Sequence, residues 1–339
     1  MTSSQLRGAI YGLLVGDALG VPYEFKAPER LPPLAQIEMT PPQGWPRAHL
    51  VPDGTWSDDG AQALALLDSL LECGGLDLED LAKRIAQWQF EGRYAVEGQV
   101  FDIGITTSNA ISRYRSGIKA EDAGPDDELS NGNGSLMRVL PLALWHQGDD
   151  FALARDAMRQ SLVTHGHLRS QLCCALFCLW ARHIAFGVVF GFDSETAWGN
   201  ATTILRALLP SLCRAANSPS NGSELESSIA ALAYVEWENE LEWHIRPGDD
   251  LKGWGSGYVV DCLRSVRDAM RQPNYEAVVK YAVSLGDDTD TTACIAGGLA
   301  GLREGIEAIP ARWLEKLRGQ EIAEPILKRF ESLNGEKPA

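Results

Sequence analysis

The chain is poor in positive charge. Lys and Arg number 30 against 46 Asp and Glu, a net charge of −16 over 339 residues. A surface that acidic repels phosphate backbones and anionic lipid, which argues against nucleic acid and membrane surfaces as partners. The seven cysteines include no Cys-x-x-Cys pair. Cys173, Cys174 and Cys178 fall in an apolar run. They read as buried thiols of a reducing compartment, the cytoplasm, and not as a disulfide framework or a zinc site. No export signal is apparent, because Asp17 interrupts the apolar residues 9–21 and no basic segment precedes them. No alternating strand pattern of six residues occurs, and there is no internal repeat. Residues 172–192 come nearest to a membrane span, but Arg182 and His183 lie at their centre. Two ionisable groups there are costly in lipid, so a buried core helix is expected.

What the sequence does hold is helical periodicity. Hydrophobic residues make up 45 %, enough for a large core. No linker composition divides the chain, so 1–339 reads as one domain with its core over about 6–318. Gly8, Gly12, Gly16 and Gly20 recur every four residues and would line one face of a helix over 5–20, permitting close packing. Helical patterns also run over 61–73, 78–90, 150–163, 168–186, 196–209, 222–240, 256–271, 274–285, 291–305 and 309–318. Val188–Phe190 is too short to anchor a sheet, so the class is mainly α. Three loops interrupt the helices. Residues 26–55 hold seven of the seventeen prolines and have no period, which marks a functional or disordered loop. Residues 119–137 are rich in Gly, Asp and Asn, and 215–224 form a polar turn.

Two acidic clusters precede helices. Ser57-Asp58-Asp59 stand before 61–73, and Asp287-Asp288-Thr289-Asp290-Thr291 before 291–305. An acid at a helix start is ordinarily a cap. Here more acids are present than one cap needs, and close carboxylates repel unless a cation lies between them. Hard divalent ions bind to such oxygens, and two ions about 4 Å apart are a known catalytic arrangement. More than 200 residues separate the clusters, so spacing alone leaves their meeting open. The second cluster also fits the D-x-D-x-T of haloacid-dehalogenase phosphatases, but that motif should end a strand near the start of an α/β domain. As a calcium loop it fails, because the twelfth position is Leu299.

Three other segments could bind a ligand. Asn131-Gly132-Asn133-Gly134-Ser135 precedes a helix, and its backbone could converge on a diphosphate; a plain turn is the equal alternative. His165 and His167 flank Gly166 before another helix. Gly253-Trp254-Gly255-Ser256-Gly257-Tyr258 offers glycines for close approach and two rings for stacking on a base, though glycines before a helix are also good linkers.

In this order the segments resemble the ADP-ribosylglycohydrolase family. They are GAIYGLLVGDALGVPYEF (8–25), GTWSDDGAQALALL (54–67), FDIGITTSNAI (101–111), NGNGSLMRVLPLAL (131–144), THGH (164–167), GWGSGYVVDCL (253–263) and GDDTDTTACIAGGLAG (286–301). The resemblance implies a compact, all-α orthogonal helical bundle with a binuclear metal cleft holding two Mg²⁺ or Mn²⁺. It implies Ser57, Asp58, Asp59, Asp288, Asp290 and Thr291 as metal ligands. Ser57 and Gly60 depart from the family's threonines, and Asp287 stands where Gly or Asn is usual. Glu24 matches an acid on a mobile loop that gates the site, touches a metal or its water and assists acid–base chemistry. Asp102 matches a carboxylate that pairs with a guanidinium. Asn131, Gly132, Asn133, Gly134, Ser135, Met137 and His165 would hold the diphosphate and distal ribose, and Gly255, Gly257 and Tyr258 the adenosine end.

The implied reaction hydrolyses the bond between ADP-ribose and an acceptor, with arginine on a protein foremost. The metals would hold the ribose hydroxyls and position water, with Asp59 or Glu24 as base. Implied partners are the ADP-ribosylated protein, ADP-ribose and a cognate ADP-ribosyltransferase. The alternatives are serine-linked or O-acetyl-ADP-ribose as substrate, a binding or toxin-neutralising immunity protein, and a metallophosphatase. All four core aspartates are present, which favours an enzyme. No motif supplies the general acid a phosphatase would need. Residues 187–250 carry none of the matched segments.

Overall fold

In this computed structural model the described residues are 1–216 and 233–335. The first helix, α1 (Ser3–Gly20), begins at a capping box in which Thr2 and Gln5 satisfy each other's backbone amides. Its glycines meet α11 (Thr289–Glu304) as an antiparallel seam. A Cβ added to Gly8 would stand 2.4 Å from the Gly301 carbonyl, at Gly12 2.4 Å from Gly297, and at Gly16 2.0 Å from Ala293. No side chain fits between these backbones, so the four-residue glycine spacing permits a contact that larger residues would forbid. The expectation of close packing on that face is met.

The seam is the centre of the bundle. Around it lie α2 (Asp58–Cys73), α3 (Leu78–Glu91), α4 (Ile105–Arg115), α5 (Leu140–Trp145), α6 (Asp150–Ser161), α7 (Leu168–Phe190) and α8 (Ser194–Ala216). A helical stretch over 233–239 runs into a π-turn, Glu240–Ile245. Then follow α9 (Val259–Ala269), α10 (Tyr275–Ser284), α12 (Ala311–Lys316) and α13 (Gln320–Gly335). Among the described residues there is no strand. Gly132 and Tyr258 form one isolated antiparallel bridge. The all-α reading holds, with one buried apolar cluster running from Leu6 to Phe330.

The α7 helix is long and apolar enough to cross a membrane by length and composition. Here Leu172–Ala181 are almost wholly buried in the core, and Arg182 pairs with Asp150 at 2.9 Å. None of the seven cysteines is in a disulfide and six are buried, as expected of thiols serving as small apolar groups.

Several boundaries move. The helix expected over 196–209 extends to Ala216, and that over 309–318 shrinks to Ala311–Lys316. Residues 256–258 are not helical, because they pair with the 131–133 loop. Three helices were not expected: α4 and α5, which carry no strong apolar period, and α13, which buries Ala323, Ile326, Leu327 and Phe330 on one face. Residues 217–232, which include most of the polar turn and the start of the 222–240 pattern, lie outside the described residues.

Candidate active site

The glycine seam ends where the acidic residues begin. Asp17, wholly buried on the last turn of α1, reaches across to the start of α2. Its carboxylate accepts the backbone N–H of Ser57 at 2.8 Å and of Gly60 at 2.8 Å. Asp17 therefore caps α2 from another helix, and this frees Asp58 and Asp59 from that task. Ser57 donates its hydroxyl to Asp59 Oδ2 at 2.9 Å. Gly60 has no room for a side chain: a Cβ there would stand 2.8 Å from Leu14 Cδ2 and 3.0 Å from Asp17 Oδ2.

The two acidic clusters meet. Thr291 Oγ1 lies 3.4 Å from Asp59 Oδ2, and one oxygen each of Asp17, Asp59 and Asp290 lie within 4.8 Å of one another. Glu24, Asp288 and Asp290 form a second such group. Glu24 is drawn in by backbone pairing of its loop with Asp287: Phe25 N–H donates to Asp287 O at 2.8 Å, and Asp287 N–H to Lys26 O at 2.9 Å. Asp287 takes φ 57°, the left-handed region that Gly and Asn enter most easily, so it serves the site through its backbone.

Burial raises the six acids that point into this cluster, Asp17, Glu24, Asp58, Asp59, Asp288 and Asp290. Asp17 and Glu24 are each pushed up to about 7, chiefly by desolvation. Asp58, Asp59 and Asp290 are raised well above the ordinary carboxylate value by desolvation and then by neighbouring carboxylates, Asp59 acting on Asp58, Asp17 on Asp59 and Glu24 on Asp290. Asp288 is raised by desolvation, against the hydrogen bond it accepts from Asn133. Asp59 Oδ1 and Asp290 Oδ2 are buried with no hydrogen-bond partner. Orphaned, mutually repelling oxygens on hard donors fit divalent cations well.

The glycine-rich loops assemble beside the acids. Asn133 N–H donates to Gly257 O at 3.0 Å, and Val259 N–H to Asn131 O at 3.0 Å. Asn133 Nδ2 donates to Asp288 Oδ2 at 2.8 Å. Gly257 lets that carboxylate come close, since a Cβ there would stand 3.1 Å from Asp288 Oδ2. Gly255 takes φ 75° with its carbonyl accepting Asp288 N–H at 2.9 Å. Gly132 and Gly134 pack on His165, whose Cε1 would stand 2.8 Å from a Gly134 Cβ. Burial, then Arg138, pushes the His165 pKa down to about 3, so its ring is neutral. Tyr258 is partly exposed, and its hydroxyl accepts from Arg169 at 3.1 Å.

Other side chains in the 131–137 loop serve the interior. Ser135 accepts from the Ser161 hydroxyl at 2.8 Å and is fully buried, and Met137 is buried in the core. Asn131 accepts from Ser170 and donates to the Glu128 carbonyl. These three shape the loop from behind, and Asn133 is the one whose amide reaches an acidic cluster.

The sequence reading passed over three further residues. Asp17 read only as a flaw in an apolar run. Arg138 is wholly buried; it donates to Gln62 Oε1 at 3.0 Å, and Gln62 donates to Asp58 Oδ2 at 3.2 Å. A buried cation thus orients Asp58 through one amide. His49, in the aperiodic loop, stands 2.8 Å from Glu24 Oε2 and 3.2 Å from Asp102 Oδ1. Those carboxylates, Asp102 first, push its pKa up to about 10. Asp102 itself takes φ 59° and is partly exposed. No residue pattern pointed to His49, because only folding brings the 24, 49 and 102 loops together.

The sequence profile of ADP-ribosylglycohydrolases matches residues 2–338. The chain is 29 % identical to the ADP-ribosylarginine hydrolase Tri1 of Pseudomonas putida, over 92 % of this chain and 73 % of that one. It is also 29 % identical to the ADP-ribosyl-[dinitrogen reductase] glycohydrolase of Rhodospirillum rubrum, over 91 % and 89 %. A solved structure described as an ADP-ribosylglycohydrolase-related protein complex superposes with a TM-score of 0.68 at 27 % identity, covering 97 % of this chain and 98 % of that one. With its seam, its joined acidic clusters and this match along its length, the chain belongs to the ADP-ribosylglycohydrolase family.

Proposed function

We propose that this protein hydrolyses the bond between ADP-ribose and an arginine side chain of a modified protein. The observation that carries the reading is the closure of two acidic clusters, 232 residues apart at Asp59 and Thr291, beside the paired 131–133 and 257–259 loops. The names of the Pseudomonas and Rhodospirillum relatives support the reaction, and the first supports the acceptor.

Ser57, Asp58, Asp59, Asp288, Asp290 and Thr291 would hold two Mg²⁺ or Mn²⁺ ions. When bound, these supply positive charge that polarises ribose hydroxyls and orients water. The chain's own residues do the rest. Asn133 and the amides around Gly132 and Gly134 face the diphosphate, against a neutral His165 that adds no charge. Gly255 and Gly257 leave room at the adenosine end, and Tyr258 offers a ring there. Glu24, held beside Asp288 and Asp290, takes the proton from the attacking water. Asp102 holds the guanidinium by a charge-assisted pair, and the proton that Glu24 removes passes to the guanidine nitrogen as its bond to the ribose breaks. A cytoplasmic setting, in company with a transferase that makes the substrate, suits the acidic surface and free thiols.

The test is release of ADP-ribose from arginine-linked substrate by wild type, Glu24→Gln and Asp102→Asn. Glu24→Gln should bind ADP-ribose nearly as wild type and turn over slowly, on the order of 10²-fold down. Asp102→Asn should lose arginine-linked turnover selectively. Wild-type rates in both would remove these roles.

A further inference from the structure

The contact between Glu24, His49 and Asp102 does not satisfy its members. One imidazole nitrogen, His49 Nε2, faces two carboxylates at 2.8 and 3.2 Å. It has one hydrogen to give, and neither His49 Nε2 nor Glu24 Oε2 makes an aligned hydrogen bond. The ring is flanked by Phe101, with centroids 5.1 Å apart, and by Phe25 at 5.9 Å. Phe25 is more than half exposed and, like Asp102, sits in the left-handed backbone region. Two non-glycine residues in that region next to one contact are a local strain, on the order of 1 kcal/mol each. His49 itself rides on an exposed turn that is closed by an Arg47–Asp53 pair at 2.6 Å, with Leu50 at its tip 91 % exposed.

A planar cation with several donors would use this box better. A guanidinium carries five N–H groups in a fork and can serve two carboxylates at once. Its flat faces also stack well on aromatic rings. Histidine matches the shape and the sign but not the number of donors. We propose that His49 is a placeholder that occupies the guanidinium position between Glu24 and Asp102, and that an arginine-linked substrate must displace it, so that the 47–53 turn acts as a gate selective for a planar cation. This rests on the arginine-linked reading of function. It adds a residue that sets specificity by competing with the substrate's own side chain.

The gate taxes binding by the fraction of molecules in which His49 is swung out. If that fraction is about one tenth, removing the imidazole should tighten binding of a guanidinium roughly tenfold. The probe is agmatine, which carries the guanidinium without ADP-ribose. In the full-length protein, with His49 assigned by comparison with His49→Gln, agmatine should shift the His49 ring resonance. It should bind His49→Ala and His49→Gln several-fold more tightly than wild type. The KM for arginine-linked ADP-ribose should fall by a similar factor, while the affinity for free ADP-ribose, which has no guanidinium to place, should not move.

Agmatine that binds both variants no tighter than wild type, or leaves the His49 resonance in place, overturns the gate. If agmatine displaces His49 while wild type and both variants release nothing from arginine-linked substrate, the cation box stands and the proposed reaction falls. The two failures are therefore separate.

Discussion

Gly20 lies directly against Asp290: a Cβ added to Gly20 would stand 2.3 Å from the Asp290 Cα and 2.5 Å from its nitrogen. The last glycine of the α1 seam thus sets how closely one acidic cluster approaches Asp17 and the other. Packing and chemistry share a residue here. Gly20→Ala should destabilise the fold by about 1–3 kcal/mol through overpacking. It should also weaken Mn²⁺ binding, because Asp290 is pushed from Asp17 and Asp59. Gly75, with nothing within 4 Å of an added Cβ and no left-handed backbone, is the control for added bulk. Thermal melts and Mn²⁺ titration of the Gly20 variant decide it, and unchanged values would deny the seam this role.

Asp17 is expected to matter twice. It accepts two amides at the start of α2 and shares the cluster of Asp59 and Asp290. Asp17→Ala should cost about 1–2 kcal/mol as a lost cap. Asp17→Asn keeps an acceptor and should cost less stability. Denaturant unfolding separates the two, and equal losses would mean the cap is not what Asp17 contributes.

The raised carboxylates predict a pH dependence with a definite sign. Native pKa values above the unfolded value, about 7 for Asp17 and Glu24 against about 4, mean the folded chain binds more protons. Their stabilising protonation is complete below about pH 4 and is lost as pH rises through 7. Metal-free protein should therefore melt lower at pH 8 than at pH 5.5. Mg²⁺ should raise the melting temperature more at pH 8, since the charged oxygens bind it. A metal effect of equal size at both pH values would contradict the reading.

Arg138 and Gln62 form the support under Asp58. Arg138→Met removes a buried cation that also bonds Gln160 and the Gly134 carbonyl. The loss should be on the order of 3 kcal/mol, for unsatisfied partners left inside the core. Gln62→Leu should be milder in stability yet weaken metal affinity, because Asp58 loses the donor that orients it. Affinity unchanged in Gln62→Leu would make the chain of bonds merely structural.

The fold was legible where a single feature dictated it. The glycine spacing of α1 announced a close helix contact, and the apolar period of α2 and the small residues of α11 placed both acidic clusters at helix starts. What the sequence could not show was anything made by two distant segments. Asp17 caps a helix that begins 41 residues later, so by itself it reads as an interruption. His49 belongs to a proline-rich loop with no period and acquires its partners only when three loops converge. The α4 helix is short of apolar residues and α5 spans under two turns, so neither gives a clear 3.6-residue signal, whereas α13 does carry one at Ala323, Ile326, Leu327 and Phe330 but holds Pro325, which reads as a helix breaker. The side chains of Ser135 and Met137 turned inward for the same reason: a loop motif names residues without saying which face the core takes.

The central claim is that the joined acidic clusters run ADP-ribose release from arginine. Its most direct measurement is free ADP-ribose released from arginine-, serine- and glutamate-linked substrates by wild type, Asp58→Ala and Asp290→Ala, each with Mn²⁺, with Mg²⁺ and with EDTA. The account predicts release by wild type from the arginine linkage, abolished by EDTA, restored by either metal and absent in both variants, whose helical content is retained. Release that survives EDTA, or wild-type rates in either variant, would contradict it.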